Sequence, residues 1–339
     1  MNAQNDTLIE IKGLKTHFFL NEGTVKAVDG VDLTIKNGSV VGIVGESGCG
    51  KSITAMSILQ LITKPGRIVE GQINWHRPDD KGGTTVTDLA ALKPNSREMR
   101  AVRGGEVGVI FQEPMTSLSM MYTIGDQIIE GIQLHLKLDK EEARKLAIEM
   151  LRRVGIPNPE GRIDAYPFQL SGGLRQRAMI AMALSCNPRL LIADEPTTAL
   201  DVTTQAQILE LMLKLQKEYN MSVMMITHDL GVVAEICDEV VVMYLGTVVE
   251  RTTVDALFHD PQHPYTKALL HSIPKLGQSK SEPLNPIKGS VPDPFNRPQG
   301  CPFHTRCPMR MPGKCDVIEP KLIELSDQQA VRCLLFSEE

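Results

Sequence analysis

Gly45-Glu46-Ser47-Gly48-Cys49-Gly50-Lys51-Ser52 fits the pattern G-x-x-x-x-G-K-[ST]. The apolar run Val40-Val41-Gly42-Ile43-Val44 precedes it and reads as a buried strand. Ile53-Thr54-Ala55-Met56-Ser57-Ile58-Leu59 follows it and reads as a helix. Strand, loop and helix in that order are the context this pattern needs. Glycines let the backbone wrap an anion, and successive N–H groups plus the positive helix end face the phosphates. The motif therefore implies a nucleoside triphosphate, with Lys51 reaching the β/γ-phosphates and Ser52 holding Mg²⁺. What the triphosphate drives is decided by the rest of the chain.

The 339 residues are enough for two or three domains. A net charge of −5 gives no global basic field, which argues against nucleic acid as a partner. Aromatics make up only 4% against 42% hydrophobic residues, so the core is mostly aliphatic, as parallel α/β sheets tend to be. Met1 to Asp6 has no basic-then-apolar signal pattern, and apolar stretches such as Val240 to Val249 are strand-sized. The expectation is a cytosolic chain, or one held at a membrane by partners. Residues 8–44 alternate apolar runs with turns and read as β-rich, while residues 77–100 read as an exposed polar insertion. Beyond these, Val107 to Phe111, Leu190 to Ala193 and Ser222 to Ile226 read as strands separated by helical stretches, implying a parallel sheet covered on both faces. Prolines multiply after about residue 260, which sets a domain boundary there.

Leu190-Leu191-Ile192-Ala193-Asp194-Glu195 is an apolar strand ending in two carboxylates. Asp194 is placed to bind Mg²⁺, and Glu195 to align and deprotonate an attacking water. Gln112 follows the strand ending at Phe111 and can contact both the metal and the water. Leu170-Ser171-Gly172-Gly173 opens a helix, which makes a second anion-binding N-terminus. His228 follows another strand and can hydrogen-bond a γ-phosphate.

Taken in order, the phosphate loop, Gln112, Leu170 to Gly173, Leu190 to Glu195, Ala199-Leu200-Asp201 and His228 resemble the ATP-binding subunits of ABC transporters over residues 8–260. The resemblance implies a P-loop NTPase with a mixed core sheet, an antiparallel β subdomain and a helical subdomain inserted at about 113–170. It implies a head-to-tail dimer in which Ser171, Gly172 and Gly173 complete a partner's ATP site, with Asp201 in the adjoining loop. The family stacks an aromatic ring on adenine ahead of the phosphate loop, and Phe18 is the candidate, with His17 and Phe19 beside it. Where the family often has Gln after Ser-Gly-Gly, this chain has Leu174, so a polar side chain is missing beside the phosphate contacts.

The tail carries a second resemblance. Pro261-Gln262-His263-Pro264-Tyr265-Thr266-Lys267-Ala268-Leu269-Leu270 and Gly300-Cys301-Pro302-Phe303-His304-Thr305-Arg306-Cys307-Pro308 are similar to the ATPases of dipeptide and oligopeptide importers. So are Tyr166 to Gly173 and Ala193 to Val202. This extends the match to nearly the whole chain, as an ATP-binding domain (1–260) and a small, loop-rich C-terminal extension (261–339). It implies import of short peptides at the cytoplasmic face of a membrane. The partners implied are a second ATPase subunit, two transmembrane permeases and an extracytoplasmic peptide-binding protein. Some relatives carry nickel, glutathione or oligosaccharides instead, and a soluble ABC-type ATPase is the rival from another class. Cys301, Cys307, Cys315 and Cys333 form the spacing C-x₅-C-x₇-C-x₁₇-C. Four thiolates can hold a [4Fe–4S] cluster, as some relatives with this tail are described to do, or tetrahedral Zn²⁺. Paired zinc knuckles are absent, and free or disulfide-linked thiols are the remaining reading.

Overall fold

The computed structural model describes residues 6–79, 82–112, 117–198, 200–272 and 287–337. The chain divides into two compact units built from interleaved segments. One holds residues 1–8, 35–40 and 91–226; the other holds 9–34, 41–90 and 227–339. The strands are β1 Thr7–Leu20, β2 Gly23–Lys36, β3 Val40–Val44, β4 Gly66–Pro78, β5 Thr84–Asp88, β6 Val107–Ile110, β7 Leu190–Asp194, β8 Ser222–Ile226, β9 Glu239–Tyr244, β10 Thr247–Thr253, β11 Ile323–Ser326 and β12 Gln329–Val331. The main helices are α1 Lys51–Ile58, α2 Ile124–Leu136, α3 Lys140–Arg153, α4 Gly172–Leu184, α5 Val202–Tyr219, α6 Leu230–Ile236, α7 Val254–His259 and α8 Pro264–His271.

In the unit containing 91–226, β6, β7 and β8 run parallel, with Val107 opposite Leu190 and Leu190 opposite Ser222. Every residue of β7 and β8 is buried, as strands covered on both faces must be. Ahead of this sheet stands a helical layer. Thr123 with Asp126, and Asp139 with Glu142, form reciprocal capping boxes that start α2 and α3. Ile124, Ile128 and Ile132 recur every four residues on α2, as Ala143, Ala147 and Leu151 do on α3, and these stripes are buried. This layer is the helical subdomain expected from sequence, although residues 113–116 at its start lie outside the described residues.

In the other unit, β3 is fully buried and runs parallel to β9, with Val41 opposite Glu239. Antiparallel pairings then link β9 to β10, β10 to β12 and β12 to β11. A separate antiparallel sheet has the order β2-β1-β4-β5. Part of the stretch expected to be an exposed insertion is thus regular: β4 and β5 pair from Asn74–Asp88 to Pro78–Thr84. The β-branched run Thr84-Thr85-Val86-Thr87 explains the pairing, since such side chains favour the extended backbone.

The C-terminal residues are loop-rich, as expected, and apolar packing anchors them. Phe303, Leu334, Cys301 and Cys315 belong to one apolar cluster with Val44 of β3, Val240 and Val242 of β9, and Tyr265 of α8. The extension is therefore packed into the same core as the strand that carries the phosphate loop. No helix among the described residues is long and apolar enough to cross a membrane.

Candidate active site

The phosphate loop lies between β3 and α1, as its sequence requires. Gly45 has φ of +149° and Gly50 has φ of +102°, a backbone region that L side chains rarely adopt. Space forbids a side chain as well: a Cβ on Gly45 would come within 2.2 Å of the Met243 carbonyl oxygen, and one on Gly50 within 2.3 Å of the Ala27 carbonyl oxygen. Lys51 is 6% exposed, and its ammonium donates to the carbonyls of Gly45 at 2.8 Å and Glu46 at 3.2 Å. Cys49 is buried and its carbonyl accepts from the Gly246 N–H; burial pushes its thiol up, so it stays neutral. Ser52 is half-buried on the first turn of α1, and Ser47 and Gly48 form the turn before it. His228 is exposed just after Thr227, whose N–H donates to the Ile43 carbonyl of β3 at 3.2 Å. Asp229 caps α6 by accepting from Gly231 and Val232.

Glu46 departs from the expectation that successive loop N–H groups face the ligand. Its N–H donates to the Tyr265 hydroxyl at 2.9 Å, and its carboxylate holds Arg306 at 2.6 and 3.0 Å. Neither partner was singled out from sequence. The legible signal was the carboxylate itself, which needs a counter-charge in an anion-binding loop.

The segment His263-Pro264-Tyr265 is organised by a buried acid. Glu250 of β10 is fully buried and accepts the N–H groups of Gln262 and His263, each at 2.8 Å. It thereby satisfies donors ahead of α8 and places negative charge at that helix's N-terminus. His263 Nδ1 accepts from the Tyr265 N–H at 3.0 Å, so the ring caps α8 in its neutral form. Burial pushes His263 down to about 3.

In the other unit, Gln112 Nε2 donates to a Glu195 carboxylate oxygen at 3.0 Å, and the Thr198 hydroxyl donates to the same oxygen at 3.0 Å. Glu195 has φ of +46°, strained for a non-glycine residue and the kind of geometry functional positions retain. Its N–H is held by the Ile226 carbonyl of β8 at 2.9 Å. Asp194, at the end of β7, is 6% exposed. Ser171 caps α4 by accepting from the Leu174 N–H. That bond uses the backbone of Leu174, so the cap is indifferent to its missing polar side chain. Ser171 and Gly172 are exposed, and Gly173 is half-buried. Gln176, further along α4, donates to the Pro196 carbonyl and ties the helix to the loop after Glu195. Asp201 caps α5 through Thr204; its neighbour Ala199 lies outside the described residues.

Phe18 pairs with Gly66 across β1 and β4, and a Cβ on Gly66 would come within 2.6 Å of its ring. Phe19 is more exposed, with the Arg67 guanidinium 4.4 Å from its ring centroid.

Cys301 and Cys315 belong to the apolar cluster, Cys307 is half-buried against it, and Cys333 is buried. Burial pushes Cys301 up to about 12, and the neighbouring thiols Cys333, Cys315 and Cys307 push the same way. Among the described residues, however, no three His, Cys, Asp or Glu side chains are disposed to hold one metal ion. The donor chemistry suits a thiolate-bound centre, but the arrangement seen here is not closed around one.

Fold and cradle together define a P-loop nucleoside triphosphatase, and comparison with known proteins narrows the class. The family model "ABC transporter" matches residues 28–198, and "Oligopeptide/dipeptide transporter, C-terminal region" matches 249–315. The chain is 52% identical to the oligopeptide transport ATP-binding protein AppD of Bacillus subtilis, over 98% of both chains. It is 46% identical to the dipeptide transport ATP-binding protein DppD of Escherichia coli, over 96% of both. Among solved structures, the ATP-binding cassette MJ0796 in a dimeric post-hydrolysis state bound to ADP and Pi superposes with a TM-score of 0.62. It is 28% identical, covering 73% of this chain and 98% of that one. The chain belongs to the ABC transporter family, among its oligopeptide/dipeptide ATP-binding subunits.

Proposed function

We propose that this chain is the ATP-hydrolysing subunit that drives import of short peptides through a membrane transporter. The observation that carries the reading is the bond from Gln112 to Glu195, a strained acid after a buried strand, in a chain whose relatives are peptide-transport ATP-binding proteins. Lys51 and the loop backbone take the β/γ-phosphates, and Ser171, Gly172 and Gly173 face the triphosphate of a partner subunit. Ser52, Gln112 and Asp194 are the residues to hold Mg²⁺, whose charge would offset that gathering on the phosphoryl oxygens. Glu195 accepts the proton of the attacking water, while Gln112 and Thr198 hold its carboxylate in place. His228 donates to the γ-phosphate, Phe18 stacks on adenine, and Asp201 orders the loop between the two subunits.

The remaining partners are a second ATPase subunit, two permeases met through the helical subdomain, and an extracytoplasmic peptide-binding protein. The chain itself works peripherally at the cytoplasmic face. Residues 1–260 are read as the ATP-binding domain and 261–339 as its extension; two separate family matches, 28–198 and 249–315, support a two-part chain.

Replacing Glu195 by Gln keeps the hydrogen bonds and removes the base. In the assembled transporter E195Q should bind ATP normally and lose at least about 100-fold in kcat. Hydrolysis at the wild-type rate would refute the assignment.

For the cysteines we propose an iron–sulfur cluster of the [4Fe–4S] type, with Zn²⁺ as the alternative. Cys301, Cys315 and Cys333 are buried and Cys307 is half-buried, all four in the C-terminal extension, which supports this reading; the thiolates would have to close further around the metal. Iron and sulfide analysis of protein purified without oxygen tests it. A colourless, iron-free preparation would exclude the cluster.

A further inference from the structure

Glu46 occupies the second position of the phosphate loop, so the sequence puts a carboxylate where a polyanion binds. An uncompensated carboxylate there would oppose the phosphates. The compensation comes from Arg306, 260 residues along the chain, through two guanidinium nitrogens at 2.6 and 3.0 Å. Such a two-point grip is the strong form of this pair, and the Arg306 side chain is only 4% exposed. Nε–H of Arg306 donates to the Lys288 carbonyl at 3.1 Å. Its guanidinium lies 5.9 Å from the Tyr244 ring centroid and 6.0 Å from that of Phe303. These contacts hold the fork in one orientation before any ligand arrives.

The backbone of Glu46 is fixed independently. Its N–H donates to the hydroxyl of Tyr265, a fully buried residue whose ring lies 4.7 Å from Tyr244 and 5.3 Å from Phe303. The Glu46 carbonyl, in turn, accepts from the ammonium of Lys51. Side chain, N–H and carbonyl of this one residue therefore connect the C-terminal region to the lysine that meets the phosphates.

We propose that Arg306 and Tyr265 are positioning residues for ATP, acting through Glu46: Arg306 cancels its charge and Tyr265 fixes its backbone, so the C-terminal region sets nucleotide affinity. This rests on the ATP reading of the loop and names what preforms it. Both residues act on Glu46, at the start of the loop and away from Glu195 in the sequence, so the cost of losing them falls on binding rather than on the chemical step.

The test is ATP hydrolysis by the assembled transporter carrying R306Q, R306K, Y265F, E46Q or the pair E46Q/R306Q, with unfolding temperatures measured without nucleotide. R306Q should raise the KM for ATP roughly tenfold while kcat stays within about twofold, because it leaves a partly buried carboxylate uncompensated. E46Q added to R306Q should bring the KM back toward the wild-type value, a rescue that a purely structural role for Arg306 would not produce. Y265F should raise KM about threefold, as loss of one hydrogen bond does. A wild-type KM in R306Q, or a double variant as impaired as R306Q, overturns the proposal. Should R306Q fail to assemble, R306K, which keeps the charge, should hold KM within about threefold of wild type, and an unchanged KM in Y265F overturns the proposal. A wild-type complex that does not bind ATP would instead remove the reading of the loop itself.

Discussion

His263 lies fully enclosed beneath the phosphate loop's support, and its neutral ring caps α8. Burial lowers its folded pKa from 6.5 to about 3, so the folded state binds fewer protons than the unfolded state in that window. The stabilisation it contributes is complete above 6.5 and is lost as pH falls toward 3. Wild-type stability should therefore drop between about pH 7 and pH 5, by at most about 1.4 kcal/mol per pH unit from this one group. H263N keeps a capping acceptor without the titration, and its urea midpoint should respond less over the same range. An identical response in both proteins would rule out His263 as the source. At this scale the sequence was legible where chemistry is local. Lys51, Ser52 and Glu195 sit in short patterns whose residue types carry the roles proposed for them. Arg306 and Tyr265 were hidden because their contacts with Glu46 span 260 and 219 residues, and no local pattern records them.

Helix α4 and strand β6 lie in close contact. A Cβ on Gly108 of β6 would come within 2.3 Å of the Ala183 carbonyl near the end of α4. G108A forces the two elements apart, and overpacking of this kind costs about 1–3 kcal/mol. Its urea midpoint should fall accordingly, and an unchanged midpoint would mean that the contact is looser than the structure places it. The helical character of α2 and α3 was legible from apolar residues four apart, while the break between them is marked by the capping box at Asp139. Within the expected insertion at 77–100, β5 was not legible because Pro78 and the following Asp and Gly residues are turn formers that mask the β-branched run after them. The strand pair β11–β12 was hidden for another reason. It is short, and it exists by continuing β10 through the pairing of Glu250 with Val331, a partner some 80 residues away.

At the scale of the whole molecule, the C-terminal extension shares its core with β3 and β9 and reaches the phosphate loop. Under the proposal above, a change in the extension reaches ATP through Glu46. Prolines multiply after about residue 260, but composition carries no record of tertiary packing, so the burial of Phe303 and Leu334 against β3 and β9 was not readable. In the proposed function, hydrolysis at Glu195 powers peptide uptake. The measurement that tests it is uptake of a labelled short peptide into proteoliposomes. These contain the complete transporter with its binding protein and ATP on the cytoplasmic side, with either the wild-type chain or E195Q. The account predicts ATP-dependent accumulation with the wild-type chain and none with E195Q, although both bind ATP. Accumulation that persists with E195Q, or a wild-type transporter that hydrolyses ATP without moving peptide, would contradict it.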